Sequence, residues 1–341
     1  MAYGTINADV MQTSTSGGIL GAGNASIMKN RIINGDMRID QRNAGASLAV
    51  TTSWAYCVDR FASRGMTGSG HTVQQTTTAP AGFRNSLKFT VGTGGTVAAG
   101  DINGIQQIIE GFNTADLMYG TADAKTVTLS FWVYSSLTGT FGGSFKNDNA
   151  NRSYPFTYTI SSANTWTQIN VTVAGDTTGT WSTTTSGGLY VTFGLGVGST
   201  YAGTAGSWAA ANYLGATGCV NVVATSGATF YITGVQLEVG SNATGYEYRV
   251  YGTELANCQR YYWKPDTSAG VFIGTVYNTV LNRGVISFPF HVTMRAVPTG
   301  TYTISGSAVF NTAYLGADMA QYYMNITDYA AFSAFTVSAE L

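Results

Sequence analysis

Charge is what this sequence is shortest of. Lysine and arginine together number 16 and aspartate and glutamate 17 in 341 residues, for a formal net charge of −1. A nucleic-acid partner needs a basic surface to meet its phosphates, and so few scattered cations do not supply one. Histidine is scarcer still. His71 and His291 are the only two and fall in different expected strands of different domains, which leaves little for a His-based triad or a zinc site. The three cysteines, Cys57, Cys219 and Cys258, are odd in number, far apart and without CxxC spacing. They read as free, small, buried apolar residues of a chain made in a reducing cytoplasm. No apolar run approaches the ~20 residues of a bilayer helix, and the opening MAYGTINADV has no signal-peptide core, so membrane insertion is not expected.

What is abundant points to strands. The apolar fraction is 44 %, with 21 Tyr, 16 Phe and 43 Gly; disordered chains lack such aromatics, whereas strands joined by short Gly and Ser turns use them. Residues 1–28 show no sustained period and read as an extended arm. The next stretch, KNRIINGDMRIDQR, gathers Lys29, Arg31, Asp36, Arg38, Asp40 and Arg42. The Asn34-Gly35 turn signal and the alternation of Met37 and Ile39 with Arg38 and Asp40 predict a strand from about Asp36.

Further alternation is plain in Leu87, Phe89 and Val91; in Val127, Leu129, Phe131 and Val133; in Ile169, Val171 and Val173; and from Leu189 to Val197. Each set predicts a strand with one buried face. In TFYITGVQLEVG the apolar parity flips between Ile232 and Val235, which predicts a β-bulge at Gly234. Many strands without long helical patterns indicate an all-β, antiparallel jelly-roll sandwich over residues 29–250. Residues 251–264 then read as a short helix with Thr253 as N-cap, Pro265 as stop, and a stripe of Leu255, Cys258 and Tyr262. Alternation resumes in a smaller β domain over residues 265–341.

Chemistry has few candidates. Gly194-x-Gly196-x-Gly198 lacks the βαβ context of a dinucleotide loop and reads as strand-end glycine. A pair of carboxylates would suffice for glycoside hydrolysis, but Asp36, Asp40, Asp59, Glu110, Glu238 and Glu247 read as partners of nearby Arg at strand ends. Trp132 and Trp166 lie within alternating strands and read as core or sheet-face residues. Trp181, Tyr201, Trp208 and Tyr213 lie in Gly, Ser and Thr-rich segments, where a flat ring can stack on the apolar face of a neutral sugar. They are the glycan-binding candidates, with Tyr314, Tyr322 and Tyr323 as alternatives near a distal tip.

KNRIINGDMRIDQRNAG followed by YCVDRF, then TVTLSFWVYSS, TFYITGVQLEVGSNATGYEYR, ELANCQRYYWK and FPFHVTMRAVPT occur in an order that resembles bacteriophage tail fibre proteins with a carbohydrate-binding-like jelly roll. The resemblance spans roughly residues 29–300. It implies a non-enzymatic virion component, assembled in the host cytoplasm, most simply a homotrimer that attaches to other virion proteins through residues 1–28 and offers a surface to host glycans. A head fibre or capsid decoration protein is the first alternative and a glycan depolymerase the second. Carbohydrate-binding relatives often hold a calcium near a terminal-strand acid; YITGVQLE has no Asp there, so no metal or cofactor is carried over. Within this frame Asp36, Arg38, Asp40, Arg42 and Asp59 would pair at the entry of the sandwich, within the chain or across a subunit boundary, fixing register more than adding stability. The helix stripe, marginal alone, would find its partner surface in three copies around an axis. Deleting residues 1–28 is expected to leave a cooperatively folding protein that no longer joins particles. Normal incorporation of that truncated protein would move attachment elsewhere.

Overall fold

The computed structural model describes residues 29–66, 69–265 and 283–341, together with the short strands Val10–Gln12, Ile19–Gly21 and Val276–Asn278. The first two of these pair with each other antiparallel. The remainder of the expected arm lies outside the described residues.

The alternating segments form two six-stranded antiparallel sheets packed face to face as a jelly roll. In order across the first sheet run Ser153–Ile160, Gly139–Lys146, Gly187–Val197, Ile102–Glu110, Ala62–Arg64 and Ala55–Tyr56. Across the second run Thr167–Val173, Val127–Ser135, Thr229–Val239, Ser86–Thr90, Thr72–Thr76 and Leu48–Ala49. The core between them is built by the apolar parity of each strand: Leu87 and Phe89, Leu129, Phe131 and Val133, Leu189, Val191 and Phe193, Phe230, Ile232 and Leu237 are all shielded from water. The bulge falls where the parity flips. Pairing of Thr229–Val239 with Val127–Ser135 slips between Thr233 and Gln236, and Gly234 takes the left-handed φ of +60° that a bulge requires.

Residues 36–40 do not form the expected strand. Met37 is left-handed (φ 58°) and so is Asn34 (φ 59°), which breaks an extended path. The backbone is satisfied largely by side chains, with main-chain bonds from Arg31 N–H to the Leu237 carbonyl and from Val235 N–H to the Gly35 carbonyl, both 2.9 Å. Asn34 accepts from Ile39 N at 3.0 Å and donates to the Ile39 and Asp59 carbonyls at 2.8 and 2.9 Å. Gln107 of the first sheet brackets Ile33, accepting from its N–H and donating to its carbonyl, both at 2.9 Å. Asn30 reaches the second sheet, donating to Val235 O at 3.1 Å and accepting from Leu237 N at 3.0 Å. The stretch thus crosses one end of the sandwich and is hydrogen-bonded to both sheets.

The helix spans Tyr251–Gln259, shorter than 251–264, and Val250 rather than Thr253 stands at its N-cap. Tyr262 lies beyond it, in the strand Tyr262–Trp263, because the chain turns at Arg260 and Tyr261 to join the C-terminal sheet. Cys258 is buried with Ile33, Ile39 and Tyr261, and Leu255 packs against that cluster. The helix therefore finds its apolar partner within its own chain, and three copies around an axis are not needed to cover it.

Residues 262–341 add a five-stranded sheet in which Met319–Ser338 pairs with Tyr262–Trp263, Arg283–Pro289 and, as a long hairpin, Thr299–Leu315. Trp263, Met294, Tyr322, Phe335 and Val337 form its small core. Charge joins this sheet to the sandwich. Arg42 pairs with Glu340 at 2.8 Å, and Arg60, only 1 % exposed, pairs with the other oxygen of the same carboxylate. The Arg60 guanidinium lies over the Tyr261 ring and that of Arg42 over Tyr262, each at 3.6 Å from the centroid. Arg260 holds Glu110 at 2.7 Å, with Tyr261 donating to the same carboxylate at 2.7 Å.

The other members of the charge cluster are also paired within the chain. Asp36 meets Arg38 at 3.2 Å, whereas Asp40 accepts from the backbone N–H groups of Asn43 and Gly45 at 2.8 and 2.7 Å and shapes a turn. Asp59 accepts from Gln41 at 2.6 Å and lies 3.9 Å from Arg42. Burial pushes its carboxyl up to about 7, the Gln41 hydrogen bond and Arg42 opposing and Glu340 and Asp40 adding to the rise. An unfolded Asp loses its proton near pH 3.9. Between those values the folded protein holds a proton that the unfolded chain has lost, so the contribution is complete below about pH 4 and is lost as pH rises through about 7. The slope is up to about 1.4 kcal/mol per pH unit. Asp59→Asn is therefore expected to lose less unfolding free energy than the wild type between about pH 4 and about pH 7 in urea titrations. Parallel losses in the two proteins would place the pH dependence elsewhere.

Candidate functional site

The outward parity of the first sheet builds a groove, and register places its floor. Ala62, Gln106, Thr192 and Ser144 stand side by side across four strands, with Gln106 donating to Thr192 Oγ1 at 2.8 Å; Ala62 and Gln106 face the groove, while Thr192 and Ser144 are fully buried. On one side of that row Ile108, Tyr190 and Lys146 are neighbours; on the other are Arg64, Gly104, Gly194 and Gly142. The segment 199–221 folds over the sheet from the far edge. Ser153 and Ala209 exchange backbone hydrogen bonds at 2.8 and 3.0 Å, and Ser153 Oγ donates to Ala211 O at 2.7 Å.

Between this segment and residues 54–56 lies a space of about 440 Å³ whose walls are Trp54, Tyr56, Tyr190 and Tyr201, with Asn212 and Leu214 over it and Leu341 at one margin. Asn212 Oδ1 is buried there without a hydrogen-bond partner in the described residues. An orphaned acceptor of this kind is a position for a ligand hydroxyl to satisfy. A second recess of about 290 Å³, beside the glycine row, is bounded by Gly142, Gly194, Gly196 and the stretch from Gly215 to Asn221. Gly194 and Gly196 are thus inside Gly187–Val197, with a bulge between them, and only Gly198 follows the strand end. Cys219 borders this recess half-exposed, unlike the buried Cys57 and Cys258.

Aromatic side chains and amide or hydroxyl hydrogen-bonding groups line the larger space. Its two charged side chains are Lys146 and Arg64. Lys146 is 8 % exposed, its Nζ 3.9 Å from the Tyr190 ring centroid and 3.5 Å from the Asn147 carbonyl. Burial pulls this ammonium below its usual value, and Asp148 opposes the shift. Asp148 itself is exposed and accepts from Tyr190 OH at 2.5 Å. The described residues contain no group of three or more His, Cys, Asp or Glu arranged to hold a metal.

Of the glycan candidates read from sequence, Tyr201 is in this groove. Tyr213 packs its ring against Gly203, where a Cβ would come within 2.2 Å of it. Trp181 and Trp208 are elsewhere. Both are half-buried at one end of the sandwich, 5.4 Å apart and edge to face, with Tyr119 at 4.9 Å from Trp181 and Tyr154 at 5.3 Å from Trp208. Their indole N–H groups donate to Thr178 O at 3.1 Å and Ala174 O at 2.7 Å. Trp181 also borders a recess of about 210 Å³ with Met118 and Tyr119. Tyr322 is in the core of the C-terminal sheet, while Tyr314 is exposed with Tyr323 at 5.4 Å. Lys146, Tyr190 and Gln106 were readable as the off-parity residues of apolar strands, but which sheet face would be roofed over was not. Trp54 and Tyr56 carried no signal of their own.

No protein-family model matches the chain, and no curated protein does. Among solved structures it is similar to a Bacteroides thetaiotaomicron protein described as sugar-binding (13 % identity, TM-score 0.36, 62 % of this chain and 100 % of that one). It is also similar to the CBM22-1 xylan-binding domain of Paenibacillus barcinonensis Xyn10C (12 %, TM-score 0.29, 59 % and 99 %). A third is the family 11 carbohydrate-binding module of Clostridium thermocellum in complex with a β-1,3-1,4-mixed-linked tetrasaccharide (12 %, TM-score 0.28, 55 % and 91 %).

The two aromatic groups should respond differently to truncation. Trp208→Ala removes a ring packed on the sandwich core and is expected to cost about 2 to 4 kcal/mol of unfolding free energy, whereas Tyr201→Ala is expected to cost less than about 1 kcal/mol. Equal losses in urea titrations would mean that Tyr201 is as structural as Trp208.

Proposed function

We propose that this protein is a non-enzymatic glycan-binding protein and that its ligand lies in the groove over the first sheet. The observation that carries this reading is the combination of aromatic walls, the Gln106 amide in the lining and the orphaned Asn212 Oδ1. Rings such as Tyr201 and Trp54 suit the apolar face of a pyranose, and the Gln106 and Asn212 amides suit its hydroxyls. Retaining and inverting hydrolysis both need two carboxyl groups flanking the bond, and the groove's charged side chains in the described residues are both cations. Adhesion is therefore favoured over depolymerisation.

The setting we propose is a bacteriophage particle, with the protein as a tail fibre component attached through residues 1–28. The ordered motifs from Lys29 to about residue 300 support this placement. A homotrimer would raise a weak groove affinity by avidity, since linked sites exceed the affinity of one. The groove reading is tested on a polysaccharide array with purified full-length protein. Trp54→Ala and Tyr201→Ala are each expected to weaken retention at least tenfold, while Tyr314→Ala leaves it unchanged. Retention that survives both groove substitutions but falls with Tyr314→Ala would transfer the site to the C-terminal sheet.

A further inference from the structure

We infer that the glycan taken by this groove is anionic, its repeat carrying a carboxylate or a phosphate; the inference rests on the glycan-binding reading above and adds the charge of the ligand. The motive is a pair of cations that the fold leaves uncommitted in a chain where charge is scarce. Other arginines are consumed by structure: Arg42 and Arg60 by Glu340, Arg260 by Glu110, Arg152 by Asp176 at 2.7 Å, and Arg295 by the Ala339, Thr185 and Glu340 carbonyls. Lys146 and Arg64 make no ion pair among the described residues.

Lys146 is the more telling of the two. An ammonium has three N–H donors, and here it has one long contact to the Asn147 carbonyl at 3.5 Å and the face of Tyr190 at 3.9 Å. Taking a cation out of water without a partner anion is costly, and a tyrosine face returns only part of that cost. The Asp148 carboxylate does not neutralise it, being exposed to solvent and engaged by Tyr190 OH. Arg64 shows the same condition. It is half-buried and in no ion pair among the described residues, although a guanidinium normally uses its fork on carboxylate or phosphate oxygens; its unpartnered Nε is a feature it shares with the ion-paired Arg42 and Arg60. The two cations lie on opposite sides of the Ala62–Gln106–Thr192–Ser144 row, one beside Ile108 and Tyr190 and the other beside Gly104. An acidic sugar in the space that Gln106 and Tyr190 line would meet Lys146 on one side and Arg64 on the other. A neutral sugar would leave both ammonium and guanidinium desolvated for no return, so the site discriminates by the cost of the wrong ligand as well as by attraction to the right one.

The test is a panel of immobilised polysaccharides: polygalacturonate, hyaluronan and polysialate as carboxylates, a sugar-phosphate capsular polymer, and xylan, mannan and dextran as neutral chains. Full-length wild type, Lys146→Met, Lys146→Arg, Arg64→Gln and Tyr201→Ala are compared. The retained polymer is expected to be a charged one. Methyl-esterifying its carboxylates, or removing its phosphates, should abolish retention and so distinguish the two sources of charge. Lys146→Met should weaken it roughly ten- to a hundredfold, in keeping with a lost charged hydrogen bond, with Lys146→Arg retaining more and added salt weakening the wild type. If Lys146→Met does not fold, the esterified ligand and Arg64→Gln decide. Retention of a neutral chain that Tyr201→Ala abolishes and Arg64→Gln spares would overturn the anionic inference and leave the groove reading intact. Absence of any retention, or retention indifferent to Tyr201→Ala, would remove the groove reading and this inference with it.

Discussion

A chain that crosses the end of a β-sandwich passes from one hydrogen-bonded sheet to another and can join neither ladder along its length. Residues 29–42 face this constraint, and the rest of the molecule is arranged around its solution. The backbone meets the second sheet at two points, Arg31 N–H to the Leu237 carbonyl and Val235 N–H to the Gly35 carbonyl, both 2.9 Å; otherwise Gln107 from one sheet and Asn30 against the other supply amide groups, and Asn34 closes the bend by bonding Ile39 and Asp59. Side-chain amides can do this because each carries donors and an acceptor together. The helix then packs Cys258 against Ile33 and Ile39 of the same crossing, and the C-terminal sheet delivers Glu340 to Arg42 at its far end. The crossing thus touches both sheets, the helix and the C-terminal segment at once.

The scarcity of charge takes on meaning from that arrangement. Ion pairs in this protein are mostly half-buried or buried joints between segments far apart in sequence, such as Arg42 with Glu340 and Arg260 with Glu110. Such pairs are nearly offset by desolvation when intact, but breaking one leaves an uncompensated charge, so they specify which segments meet more than they add to stability. Each joint is specific because few other charges are available to compete for it. The same scarcity makes a buried, unpaired Lys146 conspicuous.

Much of the sandwich was legible in the sequence because period-2 alternation reports directly on a buried face. The parity of Val127 to Val133 and of Leu189 to Leu195 is the parity found in the core, the bulge between Gly194 and Gly196 turning Val197 to the outer recess, and the slip at Gly234 was visible as a flip between Ile232 and Val235. What misled was alternation without a ladder: Met37 and Ile39 are buried as a strand would bury them, but by side-chain bonding around a left-handed Met37. Tyr262 fitted a helical spacing and was drawn out of it by pairing with Ser338, a contact no local pattern announces. The groove was the least legible part. Aromatics in Gly and Ser-rich loops look alike in sequence, yet within the one segment 199–221 Trp208 packs against Trp181 and Tyr154 while Tyr201 faces open space, a difference set by tertiary packing.

The glycine row in the groove floor limits how this surface can diversify. A side chain at Gly104 would stand 2.6 Å from the Phe193 carbonyl, and one at Gly142 would stand 2.7 Å from the Phe156 carbonyl and the Cys219 sulfur. Backbone atoms cannot move aside as a flexible side chain would. At Gly194 the nearest contacts are 3.1 Å to a Val197 methyl and 3.3 Å to the Gly142 carbonyl, a milder conflict. Two of the three floor positions are therefore closed to substitution by the sheet itself, whatever the ligand. Variants that acquire a new ligand must do so by remodelling the overhanging segment 199–221 or the rim at Trp54 and Tyr56, so divergence between lineages should collect in the roof and spare the pavement.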